Sequence, residues 1–218
     1  MSYYGLILRK PGDIIVDRVR DVGAIPNANV IVKMLRASVC GTDLEIYKGI
    51  IKTRKLPIVM GHEGVGEVIN IRGSSKYVKV GDRVLIDPGI YDNTCIICRM
   101  GKQNLCINGG LLGREIDGLI REYLEIDEEH LYKLPDNIDL DVGPLLQPLS
   151  TVIHAQRRVN ITPGSFVLIL GAGNTGLMHL QLAKLYGAYV IVVSRSKHKL
   201  NLAKSLGADK IFSTLEIP

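Results

Sequence analysis

The chain has 218 residues, 46% of them hydrophobic and 22% charged, with a net charge of +5, which is ample for one large or two small domains around a sizeable core. Its positive charges are dispersed rather than run together, which argues against a nucleic-acid partner. The longest apolar runs, such as Phe166 to Leu170, are far too short to span a bilayer; the opening MSYYGLILRKPGD lacks the regions of a signal peptide, so a soluble, cytoplasmic protein with no membrane partner is expected.

To about residue 150 the chain is a series of short β-type runs punctuated by Gly, Pro, Asn and Asp, which predicts a β-rich domain. The runs Val30–Leu35, Gly64–Ile69 and Val78–Ile86, the last around the turn Gly81-Asp82, are its predicted strands. Between the first two lie Cys40-Gly41-Thr42-Asp43 and Gly61-His62-Glu63, a possible metal constellation.

Next comes a loop that concentrates three of the four cysteines. Asp92, Cys95, Cys98 and Cys106 form D-x-x-C-x-x-C-x7-C, in a lobe of about residues 88–110. Two thiolates on a C-x-x-C turn grip one tetrahedral ion, a third closes the lobe, and a carboxylate is an acceptable fourth zinc donor. A disulfide pair is the alternative for the thiols, and an ordinary turn aspartate is the alternative for Asp92.

From Pro163 the pattern changes. The apolar run Phe166–Leu170 predicts a buried strand, followed by Gly171-Ala172-Gly173-Asn174-Thr175-Gly176, a helix over Leu177–Tyr186, a strand over Tyr189–Val193, a helix over Lys197–Leu206 and the start of a third strand at Lys210–Phe212. This is the opening of a doubly wound α/β sheet. A G-x-G-x-x-G turn between a strand and a helix is the dinucleotide fingerprint: its glycines let a pyrophosphate reach the free N–H groups of the helix N-terminus. A turn serving packing alone is the other reading. At the end of the second strand, where NAD-binding chains tend to carry an acid, stand Ser194 and Arg195, with Lys199 beyond. A hydroxyl and cations there suit a 2′-phosphate, which favours NADP over NAD; ordinary solvated charge is the alternative.

Taken together, C-G-T-D at Cys40, L-P-x-x-x-G-H-E-x-x-G at Leu56–Gly66, G-D-R-V at Gly81–Val84, the cysteine lobe and the dinucleotide fingerprint make the chain resemble the zinc-dependent alcohol dehydrogenases of the medium-chain dehydrogenase/reductase superfamily. The resemblance implies a partly open β-barrel domain of the GroES-like type over residues 1–150, carrying one catalytic and one structural zinc. Residues 151–218 would then be the first half of a Rossmann-type domain. Cys40, His62 and Glu63 would hold the catalytic zinc, which activates an alcohol for hydride transfer to the nicotinamide. Thr42 would pass the alcohol proton toward solvent, and Asp43 would orient His62. The segment Leu146-Gln147-Pro148-Leu149-Ser150 is similar to that of polyol and sugar dehydrogenases, with Gln147 replacing a glutamate and available to a zinc-bound water. Glu45 stands where many relatives carry histidine; it could grip a sugar hydroxyl or simply be exposed charge. Homo-oligomers are usual in the family.

Two departures qualify the match: Asp92 replaces the first cysteine of the lobe, and a complete member continues to about six strands, so the dinucleotide domain is expected to be truncated, with an uncovered apolar face near residues 189–212. The expected function is a zinc-dependent polyol, sugar or alcohol dehydrogenase acting on a small molecule. The alternatives are a non-catalytic zinc-binding fragment, or a dehydrogenase of L-threonine or a simple secondary alcohol.

Overall fold

The computed structural model describes residues 3–19 and 28–215. Its contacts divide the chain into two units, Met1–Gln147 and Pro148–Pro218. No helix among the described residues is long and apolar enough to cross a membrane.

The first unit opens with β1 (Tyr3–Lys10), β2 (Asp13–Val19), β3 (Val30–Ser38), α1 (Gly41–Tyr47), β4 (Ile58–Val59) and β5 (Glu63–Ile71). It continues with β6 (Arg83–Ile86), β7 (Gly89–Ile90), α2 (Ile96–Arg99), β8 (Gly110–Leu111), β9 (Tyr123–Ile126) and β10 (Leu131–Lys133). A five-stranded antiparallel sheet has the order β10-β6-β5-β3-β9, a second sheet the order β2-β1-β4, and β7 pairs with β8. No closed barrel forms among the described residues. Alternating apolar residues put Val30, Val32, Val68, Val84, Ile86 and Leu124 into one buried cluster, as expected of strands with one face inward.

The strand predicted over Val78–Ile86 forms only from Arg83. Ahead of it the chain turns: Gly81 has φ +90°, the Asp82 N–H donates to Lys79 O at 3.0 Å, and the Asp82 carboxylate accepts from the Lys79 N–H at 3.0 Å. The carboxylate thus closes a local loop that competes with the sheet ladder.

His62 is held by a crossing of two backbones. Gly118 N–H donates to Val59 O at 2.7 Å, Leu119 N–H to Gly61 O at 2.9 Å and Ile120 N–H to Met60 O at 2.9 Å. Gly61 has φ +92°, and a Cβ there would lie 2.4 Å from Ile120 Cγ1. Only glycine meets both demands, so the residue before His62 is dictated by its backbone.

The second unit holds most of α3 (Leu146–Arg157), then β11 (Phe166–Leu170), α4 (Asn174–Leu185), β12 (Tyr189–Ser194), α5 (Lys197–Ser205) and β13 (Lys210–Ser213). Its three strands are parallel in the order β11-β12-β13. Ile169, Val190 and Val192 pack with Leu180 and Ala183 of α4 and with Leu200 and Ala203 of α5. Gly187 and Gly207, at φ +76° and +98°, follow the ends of the two helices, as glycine does past a helix C-terminus.

The sequence predicts β11 as a buried strand, and the structure corrects this. Phe166, Leu168 and Leu170 are 78%, 59% and 77% exposed, because α4 and α5 both pack on the face that carries Ile169. The uncovered apolar surface expected near residues 189–212 therefore extends onto β11, with Phe212 of β13 half exposed.

Candidate active site and metal centres

Among the described residues, two groups of His, Cys, Asp and Glu side chains bring their ligand atoms within 4.8 Å of one another: Cys40, His62 and Glu63, and Asp92, Cys95, Cys98 and Cys106. All four cysteines are free thiols.

The first group is assembled by strand ends. Cys40 follows β3 and starts α1, while His62 immediately precedes β5 and Glu63 begins it. Asp43, in the first turn of α1, accepts from the Cys40 N–H through Oδ2 at 2.8 Å, a helix-start arrangement that also suits the helix dipole. Its Oδ1 faces His62 Nδ1 at 3.5 Å. One carboxylate thus touches both the loop of Cys40 and the loop of His62.

Asp43, His62 and Glu63 are 2%, 4% and 5% exposed. Asp43 Oδ1 and His62 Nδ1 have no hydrogen-bond partner among the described residues, and buried polar atoms left in this way call for an explanation. A cation on the other imidazole nitrogen would supply one: it would select the tautomer that presents Nδ1–H to Asp43, the usual outer partner of a metal-bound histidine. Burial pushes the Cys40 thiol up from its ordinary value; hydrogen bonds from the Thr42 backbone and hydroxyl oppose this, and the Glu63 carboxylate adds to it. A thiol so placed becomes a thiolate most readily by binding a metal. Ser38 Oγ donates to Glu63 Oε2, a contact not foreseen from the sequence. Glu45 is exposed on α1 and outside the metal-binding group. Gln147 lies half-buried in the first turn of α3.

The second group sits in a loop that leaves and re-enters the fold at the β7–β8 pair. Asp92 Oδ1 accepts from the N–H groups of Thr94 and Cys95, each at 2.9 Å, and Oδ2 from Asn108 Nδ2 at 2.5 Å. These bonds hold its carboxyl well below the usual carboxylate range. The turn role of Asp92 is thus realised, and its charged form is secured beside the three sulfurs. Cys95 starts α2, and its Sγ accepts from the Cys98 N–H at 3.4 Å, which lowers its thiol pKa. Burial and the neighbouring thiols push Cys98 up to about 12. Cys95 Sγ and Cys106 Sγ are 3.8 Å apart; two sulfurs at the usual zinc–sulfur distance of a tetrahedral ion would be separated by about 3.8 Å. The donor set fits zinc.

Asp92→Asn separates the two roles of this side chain. Asparagine keeps the turn acceptor, and the Asn108 amide can flip to meet it, but the anionic donor is lost. Zinc affinity of the lobe should fall by about 100-fold or more, since a direct ligand is lost and removal of a mere outer-shell partner already costs about 10- to 100-fold, without change in the circular dichroism spectrum. Unchanged affinity in a chelator competition would reduce Asp92 to a turn residue.

In the second unit, the fingerprint turn joins β11 to α4. Gly171 has φ +110°, and a Cβ on Gly176 would lie 2.0 Å from Gly171 O, whereas one on Gly173 would meet nothing within 4 Å. Gly173 caps α4 without a side-chain hydrogen bond, and the first intrahelical bond is Leu177 N–H to Gly173 O at 2.9 Å. The N–H groups of Asn174, Thr175 and Gly176 precede it and have no acceptor within the helix. A cleft of about 470 Å³ is lined by Gly171–Gly173 together with Ser194, Arg195, Ser196, Lys199 and Thr214; none of its described lining residues is acidic. Ser196 and Thr214 are additions to the residues singled out from sequence. The Ser196 signal was present: its Oγ accepts from the Lys199 N–H at 3.4 Å, and serine is a preferred residue at a helix start.

Residues 26–136 match the model of the alcohol dehydrogenase GroES-like domain, and residues 175–217 that of the zinc-binding dehydrogenases. The chain is 36% identical over 210 residues to the sorbitol dehydrogenase of Ovis aries, covering 94% of this chain and 59% of that protein. It is 36% identical over 194 residues to the probable D-xylulose reductase A of Aspergillus clavatus, covering 87% and 54%. Among solved structures, galactitol-1-phosphate dehydrogenase from Escherichia coli superposes with a TM-score of 0.90 at 27% identity, covering 99% of this chain and 62% of that one. The chain thus spans between half and two thirds of the length of these relatives. With the GroES-like model covering half of its residues and the zinc-binding dehydrogenase model matching its second unit, the chain belongs to the zinc-type alcohol dehydrogenases of the medium-chain dehydrogenase family.

Proposed function

We propose that the protein is a zinc-dependent dehydrogenase that takes hydride from a secondary alcohol, polyol or sugar hydroxyl and delivers it to NADP in preference to NAD. The observation that carries the reading is the trio of half-buried Cys40 with buried His62 and Glu63, with ligand atoms within 4.8 Å of one another, in a chain that also has a glycine turn of the dinucleotide-binding kind. The relatives named sorbitol dehydrogenase and D-xylulose reductase support a polyol as substrate.

Cys40, His62 and Glu63 would hold the catalytic zinc, and Asp92, Cys95, Cys98 and Cys106 a structural one. A bound zinc supplies Lewis acidity that eases loss of the alcohol proton. Thr42, whose hydroxyl helps hold down the Cys40 thiol against the upward push of burial, would carry that proton away. Asp43 would keep His62 in the ligating tautomer. Glu45, one helical turn beyond Thr42 and exposed, would meet a hydroxyl of the substrate, and Gln147 would serve as an amide contact to water or substrate. Asn174, Thr175 and Gly176 would give their free N–H groups to the pyrophosphate, while Ser194, Arg195 and Lys199 would meet the 2′-phosphate.

The test is the rise of reduced-nicotinamide absorbance with a panel of polyols, aldoses, L-threonine and simple secondary alcohols, on protein of known zinc content. Turnover of polyols or sugars supports the proposal, turnover of L-threonine alone transfers it to that substrate, and zinc without any turnover would favour a non-catalytic role. Arg195→Ala should raise KM for NADP by about 10-fold or more, the worth of one hydrogen bond to a charged group, and leave KM for NAD nearly unchanged. Equal effects on both cofactors would remove Arg195 from the 2′-phosphate site.

A further inference from the structure

The ladder between β3 and β5 ends with Ser38 opposite Glu63. The ladder carries two register shifts, one extra residue of β5 at the Ile31–Val32 step and one extra residue of β3 between Met34 and Arg36, and the second cancels the first, so that Ser38 meets Glu63 in the register of Val30↔Ile71. Continued from Lys33↔Glu67 and Met34↔Gly66 without the extra residue of β3, the register would bring Ala37 opposite Glu63. The second shift therefore restores the register that places a hydroxyl, and not the methyl group of Ala37, opposite Glu63. The hydroxyl is used: Ser38 Oγ donates to Glu63 Oε2, inside a site where Glu63 is 5% exposed.

We propose that Ser38 is a positioning residue for the catalytic metal. A buried glutamate beside a cation can bind through one oxygen, through both, or turn away, and a hydrogen bond to Oε2 fixes the carboxylate plane and commits one oxygen. Ser38 would thereby leave Oε1 as the free oxygen for an ion held with Cys40 and His62. Its own position is rigid because it belongs to the sheet ladder, as a group that sets ligand geometry should. This role rests on the reading of Cys40, His62 and Glu63 as metal ligands.

The experiment compares wild type, Ser38→Ala, Ser38→Thr and Cys40→Ala, each titrated with Co²⁺ against a chromophoric chelator and examined by visible absorption. Cys40→Ala identifies which of the two binding classes belongs to this site. Ser38→Ala should weaken that class by about 10- to 100-fold and alter its Co²⁺ spectrum, with the lobe class unchanged; Ser38→Thr, which restores the hydroxyl, should lie close to wild type. Wild-type affinity and spectrum in Ser38→Ala would overturn the assignment. So would an equal loss in Ser38→Thr, since packing rather than hydrogen bonding would then be responsible. If Cys40→Ala loses neither class, the ligand reading itself fails and the role of Ser38 with it.

Discussion

Cys40→Ala is expected to leave the protein with one bound zinc in place of two and to lower kcat/KM by about 10³-fold, since metal activation of an alcohol is worth several kcal/mol of transition-state stabilisation. The site has no substitute ligand: among the described residues the group consists of Cys40, His62 and Glu63 alone, and Glu45 lies outside it. The fold should survive, because Cys40 is only partly buried and the start of α1 is closed through its backbone N–H, which donates to Asp43, a bond that alanine keeps. Metal analysis and initial rates on the same preparation decide the matter. Cys98→Ala is the companion variant: it should remove the other zinc and, with it, the order of the lobe, because the ligands of a structural zinc stabilise their own fold through the metal. Two zinc ions and full activity in Cys40→Ala would sink the assignment of the catalytic centre.

The second large effect is expected at the glycines of the dinucleotide turn, which the structure separates by mechanism. Gly176→Ala puts a methyl group 2.0 Å from the carbonyl oxygen of Gly171. Backbone must move to admit it, at a cost of about 1–3 kcal/mol as for other overpacked sites, and the turn that presents the helix N–H groups moves too. Both thermal stability and dinucleotide affinity should fall. Gly173→Ala meets no protein atom within 4 Å, and Gly173 has φ −78°, which alanine adopts freely. Stability should hold while affinity falls, because the space a Cβ would take is where the pyrophosphate approaches the backbone. Thermal unfolding, with cofactor titration monitored by fluorescence, distinguishes the two. If Gly173→Ala binds NADP and NAD as tightly as wild type, the dinucleotide does not lie along this turn.

Much of this architecture was legible in the chain. The elements of the second unit fall close to the predicted spans, since continuous apolar runs, helical stretches and following glycines are local signals. The helix after the fingerprint starts at Asn174 rather than Leu177, because Gly173 itself caps it. The loss of Val78–Val80 from the predicted strand has a different origin: its β-type composition was real, but the Asp82 carboxylate captured the Lys79 N–H and turned the chain first. The strands β1 and β2 were not singled out at all, and their pairing, with Tyr3 opposite Val19, is a tertiary fact.

The candidate ligands belong to the same contrast. The spacing of Asp92, Cys95, Cys98 and Cys106 announces a metal loop because all four donors lie within one short segment, where chain connectivity alone limits how far apart they can be. Cys40, His62 and Glu63 are separated by a strand-bounded excursion, so residue type nominated them and only the β3–β5 pairing brought them together. Ser38 carried no signal in the sequence: it is two residues before Cys40 in an ordinary strand, and its meaning depends on the β3–β5 register, in which two opposite one-residue shifts leave it facing Glu63. Likewise, five consecutive apolar residues at Phe166–Leu170 specify a strand, but not how many of its faces are covered. That was decided by α4 and α5 packing together on the Ile169 face. The sequence by itself determined the family, the donor types and the fingerprint turn, all of which are local patterns of chemistry and backbone freedom. Register, burial and the side-chain partners of the candidate ligands were decided only in the tertiary structure, because they arise from contacts between segments whose separation along the chain carries no record of their pairing.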